Sequence, residues 1–214
     1  MRYLALLLIA VAMAAPVVAQ GASLSVLVVD QGGNPVEDAV VTLVGDATAP
    51  HTAATTYTID QKQLTFLPFV QVVRPGDSVV FRNSDRTRHH VYSFSSTRAF
   101  EFVLAPGQSS APLALPKAGV AAVGCNIHDG MINYLYVTAA HAVRTDARGI
   151  ADFTGLHAGR VEVWVWQPRL PPGHPQGLRQ AALDLSAGDA RTLHVALRLR
   201  PDPRRPSDHE RMRY

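Results

Sequence analysis

The sequence predicts an all-β fold arranged as sandwiches, and three observations carry that prediction. Short apolar runs rich in β-branched residues recur along the whole chain, from residues 23–29 through 39–44 to 191–199. Turn clusters separate them: Asp30-Gln31-Gly32-Gly33-Asn34-Pro35, Pro75-Gly76-Asp77, Asn83-Ser84-Asp85, Pro106-Gly107 and Lys117-Ala118-Gly119. Strong helical periodicity is confined to the first residues of the chain. Many short strands spaced by turn signals are the pattern of a sandwich or barrel.

In chain order, the first segment reads as a leader. Met1-Arg2-Tyr3 carries one positive charge, residues 4–15 are apolar, and Val17-Val18-Ala19 offers small residues before Gln20. This is the pattern of a secretory signal peptide over residues 1–19. The apolar run is shorter than the ~20 residues a membrane span needs. No later run is long and apolar enough to span, so no transmembrane anchor is expected in the mature chain. The expectation is an exported protein, in a bacterial periplasm given the Ala-, Arg- and Pro-rich composition. The formal net charge is +3, with arginines scattered rather than clustered, so no nucleic-acid-binding stripe is expected. At the other end, residues 201–214 are rich in Pro, Arg and Asp and nearly devoid of apolar residues, a composition that reads as a flexible tail.

Between these ends, strands are expected at residues 23–29, 39–44, 63–73, 78–82, 90–94, 121–125, 134–138, 160–166 and 191–199. On the penultimate one, Trp164, Val165 and Trp166 are expected to fill a core by alternation. Two segments look related. Val28-Val29-Asp30-Gln31-Gly32-Gly33-Asn34-Pro35-Val36 precedes a strand near the start, and Thr145-Asp146-Ala147-Arg148-Gly149-Ile150 precedes one near the end. Together they resemble the small transthyretin-like sandwich of carboxypeptidase regulatory domains. The resemblance implies a discontinuous domain, residues 20–55 plus 139–200, with residues 56–138 inserted into it.

The chemistry concentrates in that insert. Cys125 is the chain's single cysteine, within Cys125-Asn126-Ile127-His128-Asp129-Gly130-Met131. A lone cysteine in an exported chain has no internal disulfide partner, so it is free, bonded to another chain, or metal-bound. An unprotected thiol is a liability in an oxidising compartment. A histidine pair, His89-His90, stands upstream on a strand-like run. One thiolate, two imidazoles and a weak axial thioether are the donor set of a blue-copper electron-transfer site. Zinc prefers four Cys, His or carboxylate donors, and methionine suits it poorly. Successive residues of a strand face opposite sides, so His89 and His90 cannot both enter one site.

Phe81-Arg82-Asn83 through His89-His90-Val91, with Cys125-x-x-His128-x-x-Met131, resemble the cupredoxins, and the short loop is similar to that of the amicyanin and plastocyanin-like members. The Cys-Asn-Ile-His-Asp and His-His-Val-Tyr-Ser-Phe segments are also similar to those of exported proteins labelled methylamine utilization proteins. The resemblance implies a cupredoxin-like Greek-key sandwich over residues 56–138, binding one Cu(I)/Cu(II) ion through His89, Cys125, His128 and Met131. Counted from Phe81 and Asn83, the upstream ligand falls on His89. His90 then stands where many cupredoxins carry an asparagine that braces the cysteine loop.

The expected function is one-electron transfer rather than catalysis, since four protein ligands leave no open position for a substrate. His128, at the middle of the loop, is expected at the solvent edge as the electron port. The partner is an unspecified redox protein, a c-type cytochrome or a dehydrogenase. Two other readings compete. A copper chaperone or storage module would use clustered methionines, but of the chain's four, Met1 and Met13 fall in the leader. An envelope adaptor sandwich with an incidental metal site is the third. The sequence contains no nucleophile elbow and no carboxylate pair that would support a hydrolase.

Overall fold

The computed structural model describes residues 21–45, 53–174 and 177–202. The expected leader, and residues 203–214 of the expected tail, lie outside the described residues. Those described form sixteen strands and no helix: β1 (Ala22–Asp30), β2 (Val40–Gly45), β3 (Thr56–Lys62), β4 (Thr65–Leu67), β5 (Val70–Val73), β6 (Ser78–Asn83), β7 (His89–Ser93), β8 (Phe100–Leu104), β9 (Leu113–Ala114), β10 (Gly119–Cys125), β11 (Ile132–Val137), β12 (His141–Arg144), β13 (Ile150–Leu156), β14 (Gly159–Trp166), β15 (Leu178–Leu185) and β16 (Ala190–Leu197).

They assemble into four sheets. The outer parts of the chain form β13-β1-β16 and β12-β2-β14-β15, and the central part forms β5-β11-β10-β7-β8 and β4-β3-β6-β9. Alternation explains the first pair. Along β1, Ala22, Leu24, Val26 and Val28 are buried and the residues between them are not, as a strand with one face on a core requires. Leu24, Val26, Leu43, Phe153, Leu156 and Val163 belong to one core. Ile59, Phe66, Val79, Phe81, Val91 and Leu135 belong to a second, which also contains Cys125 and Met131.

The two segments that look alike in sequence form turns of one design. The Asp30 carboxylate accepts the amides of Gly32 (2.8 Å) and Asn34 (2.9 Å). The Asp146 carboxylate accepts those of Arg148 (2.9 Å) and Ile150 (2.9 Å). A short carboxylate bonding the backbone two and four residues on is what makes aspartate a turn former. The Asn34 amide beside Asp30 and the Ile150 amide beside Asp146 are the chief reasons both carboxyls sit below the usual carboxylate range. The second turn lies against the first strand, with Val28 donating to the Gly149 carbonyl at 2.8 Å. Gly149 has φ 75°, and a Cβ there would lie 2.5 Å from the Val28 carbonyl oxygen. Glycine meets both demands.

The run at residues 63–73 departs from expectation. It is not one strand. Gln63 and Leu64, at φ 55° and 54°, turn β3 into β4. After the cis Leu67–Pro68 bond, β5 joins the other sheet, parallel to β11, with Val70 beside Tyr134. The buried Asn133 side chain holds this corner by donating to the Pro68 carbonyl (2.8 Å) and the Phe69 carbonyl (3.2 Å). Pro68, which has no N–H for a strand ladder, marks the break in the sequence itself, and the long-range partners decide which sheet β5 joins.

On β14 the valines Val161, Val163 and Val165 are fully buried, and the tryptophans take the opposite face. Trp166 packs on Tyr134 and Tyr136 of β11, with ring centroids 5.8 and 5.2 Å away, joining the two sandwiches. Among the described residues, no helix is long and apolar enough to cross a membrane.

Candidate metal centre

β7 and β10 are antiparallel neighbours, with Cys125 opposite Val91 and Gly124 opposite Tyr92. This register brings the start of β7 and the end of β10 to the same end of the sheet. His89, Val91 and Ser93 are buried, whereas His90 and Tyr92 are only partly so. The pleat therefore sends His89 inward and His90 outward.

His89 is fully buried. Its Nε2 lies 2.9 Å from a carboxylate oxygen of Asp85. An ionised carboxylate only accepts, so it is the Nε2–H that points at Asp85, and Nδ1 faces two other ligand-type atoms. Nδ1 lies 3.7 Å from Cys125 Sγ and 3.1 Å from His128 Nδ1, and His128 Nδ1 is 3.5 Å from the sulfur. One ligand atom from each of the three residues falls within 4.8 Å of the others. His128 is half-buried, its ring 4.8 Å from that of His89 at 63°.

The loop carrying His128 joins β10 to β11. Cys125 donates its amide to the Met131 carbonyl at 3.2 Å, which closes the loop at its base. Gly130 turns the loop at φ 73°. Met131 is buried and shares the second core with Cys125. Of the four residues singled out in the sequence, the fold thus gathers three around a common point and places the fourth in the core at the end of the loop.

His90 serves elsewhere. Its carbonyl accepts the Asn126 amide (2.9 Å), its Nε2 lies 2.6 Å from Glu101, and its Nδ1 lies 3.4 Å from the Asn126 side-chain amide. It braces the residue after Cys125 from outside the sheet.

Asp85 is the functional residue that sequence reasoning passed over. Besides His89 it accepts the amides of Gln63 (2.6 Å) and Leu64 (3.1 Å), the two left-handed residues of the β3–β4 turn. Burial pushes its carboxyl up, but the Leu64 and Gln63 amides and the His89 ring outweigh that and hold it below the usual carboxylate range. Asn83 fixes the segment in between. It is fully buried, donates to the carbonyls of Thr87 (2.8 Å) and Leu104 (3.0 Å), and accepts the Asp85 amide (2.9 Å). The available signal was an aspartate four residues before the histidine, in a cluster that reads simply as a turn.

The donor set fits copper. A thiolate is a soft ligand and imidazole suits both copper oxidation states. The carboxylate behind His89 is the outer partner that commonly orients a ligating histidine and raises its basicity. One ion at this point would satisfy the lone pairs of both rings and the sulfur. The cluster is a set of donors that could hold one copper ion.

No protein-family model matches the chain, and no curated protein matches it. Among solved structures, the chain is similar to amicyanin from Paracoccus versutus (17% identity, 46% of this chain, 97% of that chain, TM-score 0.36). It is also similar to a Cu(I) form of an amicyanin variant (17% identity, 46% of this chain, 98% of that chain, TM-score 0.36). A third likeness is to a purple cupredoxin from Nitrosopumilus maritimus (17% identity, 38% of this chain, 99% of that chain, TM-score 0.34).

Proposed function

We propose that this chain is an exported mononuclear type 1 copper protein that carries one electron between partners. The observation that carries the reading is the convergence of Cys125 Sγ with the Nδ1 atoms of His89 and His128. His89, Cys125, His128 and Met131 are the residues that would hold the copper ion, through two imidazoles, a thiolate and a weaker thioether. Copper held there supplies a one-electron change between Cu(I) and Cu(II). The protein's part is to hold the donors still. Cys125 ends a strand, His89 begins the adjacent one, and Asp85 and His90 brace the segments that carry the ligands. A rigid donor set lets the charge change with little rearrangement.

His128 is the proposed electron port, because it alone of the three clustered residues is not buried. Ile127 beside it is 44% exposed, and Leu64, tied to Asp85, is 49% exposed. An apolar rim of this kind suits brief encounters with a redox protein such as a c-type cytochrome or a dehydrogenase. In this reading residues 56–138 are the copper domain, and residues 20–55 with 139–200 are a transthyretin-like sandwich that carries it. Its place is the periplasm.

The test is spectroscopic. Loaded with Cu(II), the protein is expected to show an intense thiolate-to-copper band that mild reductant bleaches. The band disappears in Cys125→Ala and in His89→Ala, and survives in His90→Ala. A pale, weakly held cupric species would point to a storage or chaperone role. The absence of any stable copper would sink the proposal.

A further inference from the structure

The face of β14 that bears Glu162, Trp164 and Trp166 is turned toward β11 of the metal-bearing sandwich. At Trp166 the sandwiches touch. Toward Glu162 they diverge and leave a crevice of about 250 Å³. Its lining includes Thr42, Val44, Gly119, Tyr136, Glu162 and Trp164. None of these contributes to the metal centre.

Three features of the lining define what would fit. First, two aromatic groups from different sandwiches line it, the Trp164 indole and the Tyr136 phenol. Their ring faces are electron-rich and attract a cation. Second, among the described residues Glu162 is the only charged side chain on the lining, and its sign is negative. It is held in place: one oxygen lies 3.2 Å from Trp164 Nε1 and the other 2.9 Å from an Arg179 nitrogen. Arg179 and Glu162 are 47% and 36% exposed, so that ion pair is weak and easily traded. Third, the hydroxyls of Thr42 and Tyr136 meet at 3.5 Å, so this part of the lining is polar. The volume is just below the roughly 300–1,000 Å³ usual for drug-sized ligands, which limits the occupant to a small molecule, and a junction between domains is a usual place for such sites.

We propose that this crevice binds a small organic ammonium ion, with the positive group against Trp164 and Tyr136 and its charge balanced by Glu162. The site is independent of the metal. Occupying it would bridge β2 and β14 of one sandwich to β10 and β11 of the other.

The test uses the full chain with choline as the cation and 3,3-dimethyl-1-butanol as its neutral isostere. Both tryptophans of the chain lie at this junction, so indole fluorescence reports binding, with titration calorimetry as the second readout. Choline is expected to bind saturably, at least tenfold tighter than the alcohol. Trp164→Leu and Glu162→Gln should each weaken it about tenfold, which is ~1.4 kcal/mol and within the range of desolvated cation–aromatic contacts. Arg179→Gln should tighten it, since it removes the competing cation. Cys125→Ala should leave it unchanged even where copper is lost, which separates this proposal from the electron-carrier reading. No saturable choline binding would overturn the proposal. Equal affinity for the alcohol would also overturn it, as would full retention of affinity in a folded Glu162→Gln variant.

Discussion

Replacing Asp85 with alanine removes three accepted hydrogen bonds at once, from His89 Nε2 at 2.9 Å and from the Gln63 and Leu64 amides at 2.6 and 3.1 Å. They do not count equally. Gln63 and Leu64 are exposed, so water replaces the carboxylate there at little cost. The His89 ring is fully buried, and its N–H would be left without that partner. An orphaned buried donor costs about 1–3 kcal/mol. For a chain of this size that lowers the melting temperature of the metal-free protein by roughly 2–12 °C. The metal centre should respond separately. Without the carboxylate, the His89 ring loses the acceptor that holds its Nε2–H. Loss of such an outer partner weakens metal binding by about 10–100-fold, or ~1.4–2.8 kcal/mol. Asp85→Asn is the informative companion. With its amide oxygen toward His89 it keeps the acceptors for His89 and Leu64 and sets its NH₂ against the Gln63 amide. With the amide turned round, it forces the His89 proton onto Nδ1, the atom that faces the cysteine. The asparagine variant should therefore bind copper with intermediate affinity. The assays are calorimetric melting without metal and competition for Cu(I) against a chromogenic chelator. If the alanine variant melts with the wild type and holds copper within twofold of it, the reasoning fails.

Three further outcomes follow from particular contacts. Phe81 is fully buried, with Phe66, Phe100 and Phe102 around it at centroid distances of 6.1, 5.6 and 5.6 Å; Phe81→Ala should cost about 3–5 kcal/mol in denaturant unfolding, and a loss under 1 kcal/mol would mean that this core is loosely packed. Gly149→Ala places a Cβ 2.5 Å from the Val28 carbonyl at φ 75° and should destabilise by at least ~1–3 kcal/mol, where a surface turn without that contact would tolerate the change. The carboxyls of Asp30 and Asp146 are depressed in the folded chain, so their contribution is present above the unfolded carboxylate pKa, near 3.9, and is lost as pH falls through the lower folded values. Substituting both by asparagine should therefore flatten the acid limb of the stability profile below about pH 4, and an unchanged limb would show that these turns do not take part in it.

Much of the three-residue cluster was legible before folding because its parts are local. Cys125 and His128 share one short segment, and the period of a strand alone requires that His89 and His90 face apart. The apolar alternation of β1 and the paired aspartate turns are likewise written in adjacent residues. Asp85 was not legible as a partner of His89. Its role depends on the β3–β4 turn coming back to present the Gln63 and Leu64 amides, and an Asn-Ser-Asp cluster has the same composition with or without that neighbour. The division of residues 63–73 was legible in Pro68, which cannot donate to a ladder, but the sheet that each half joins was not, because Asn133 and β11, distant in sequence, decide it. Trp166 shows the limit most plainly. Alternation puts it on the face opposite the buried valines, and the surface that covers that face belongs to the other sandwich, as does half the lining of the crevice beside it. Donor identity and strand period are properties of short segments. Which donors meet, and which faces cover each other, depends on contacts between residues tens of positions apart, and only the folded chain brings those together.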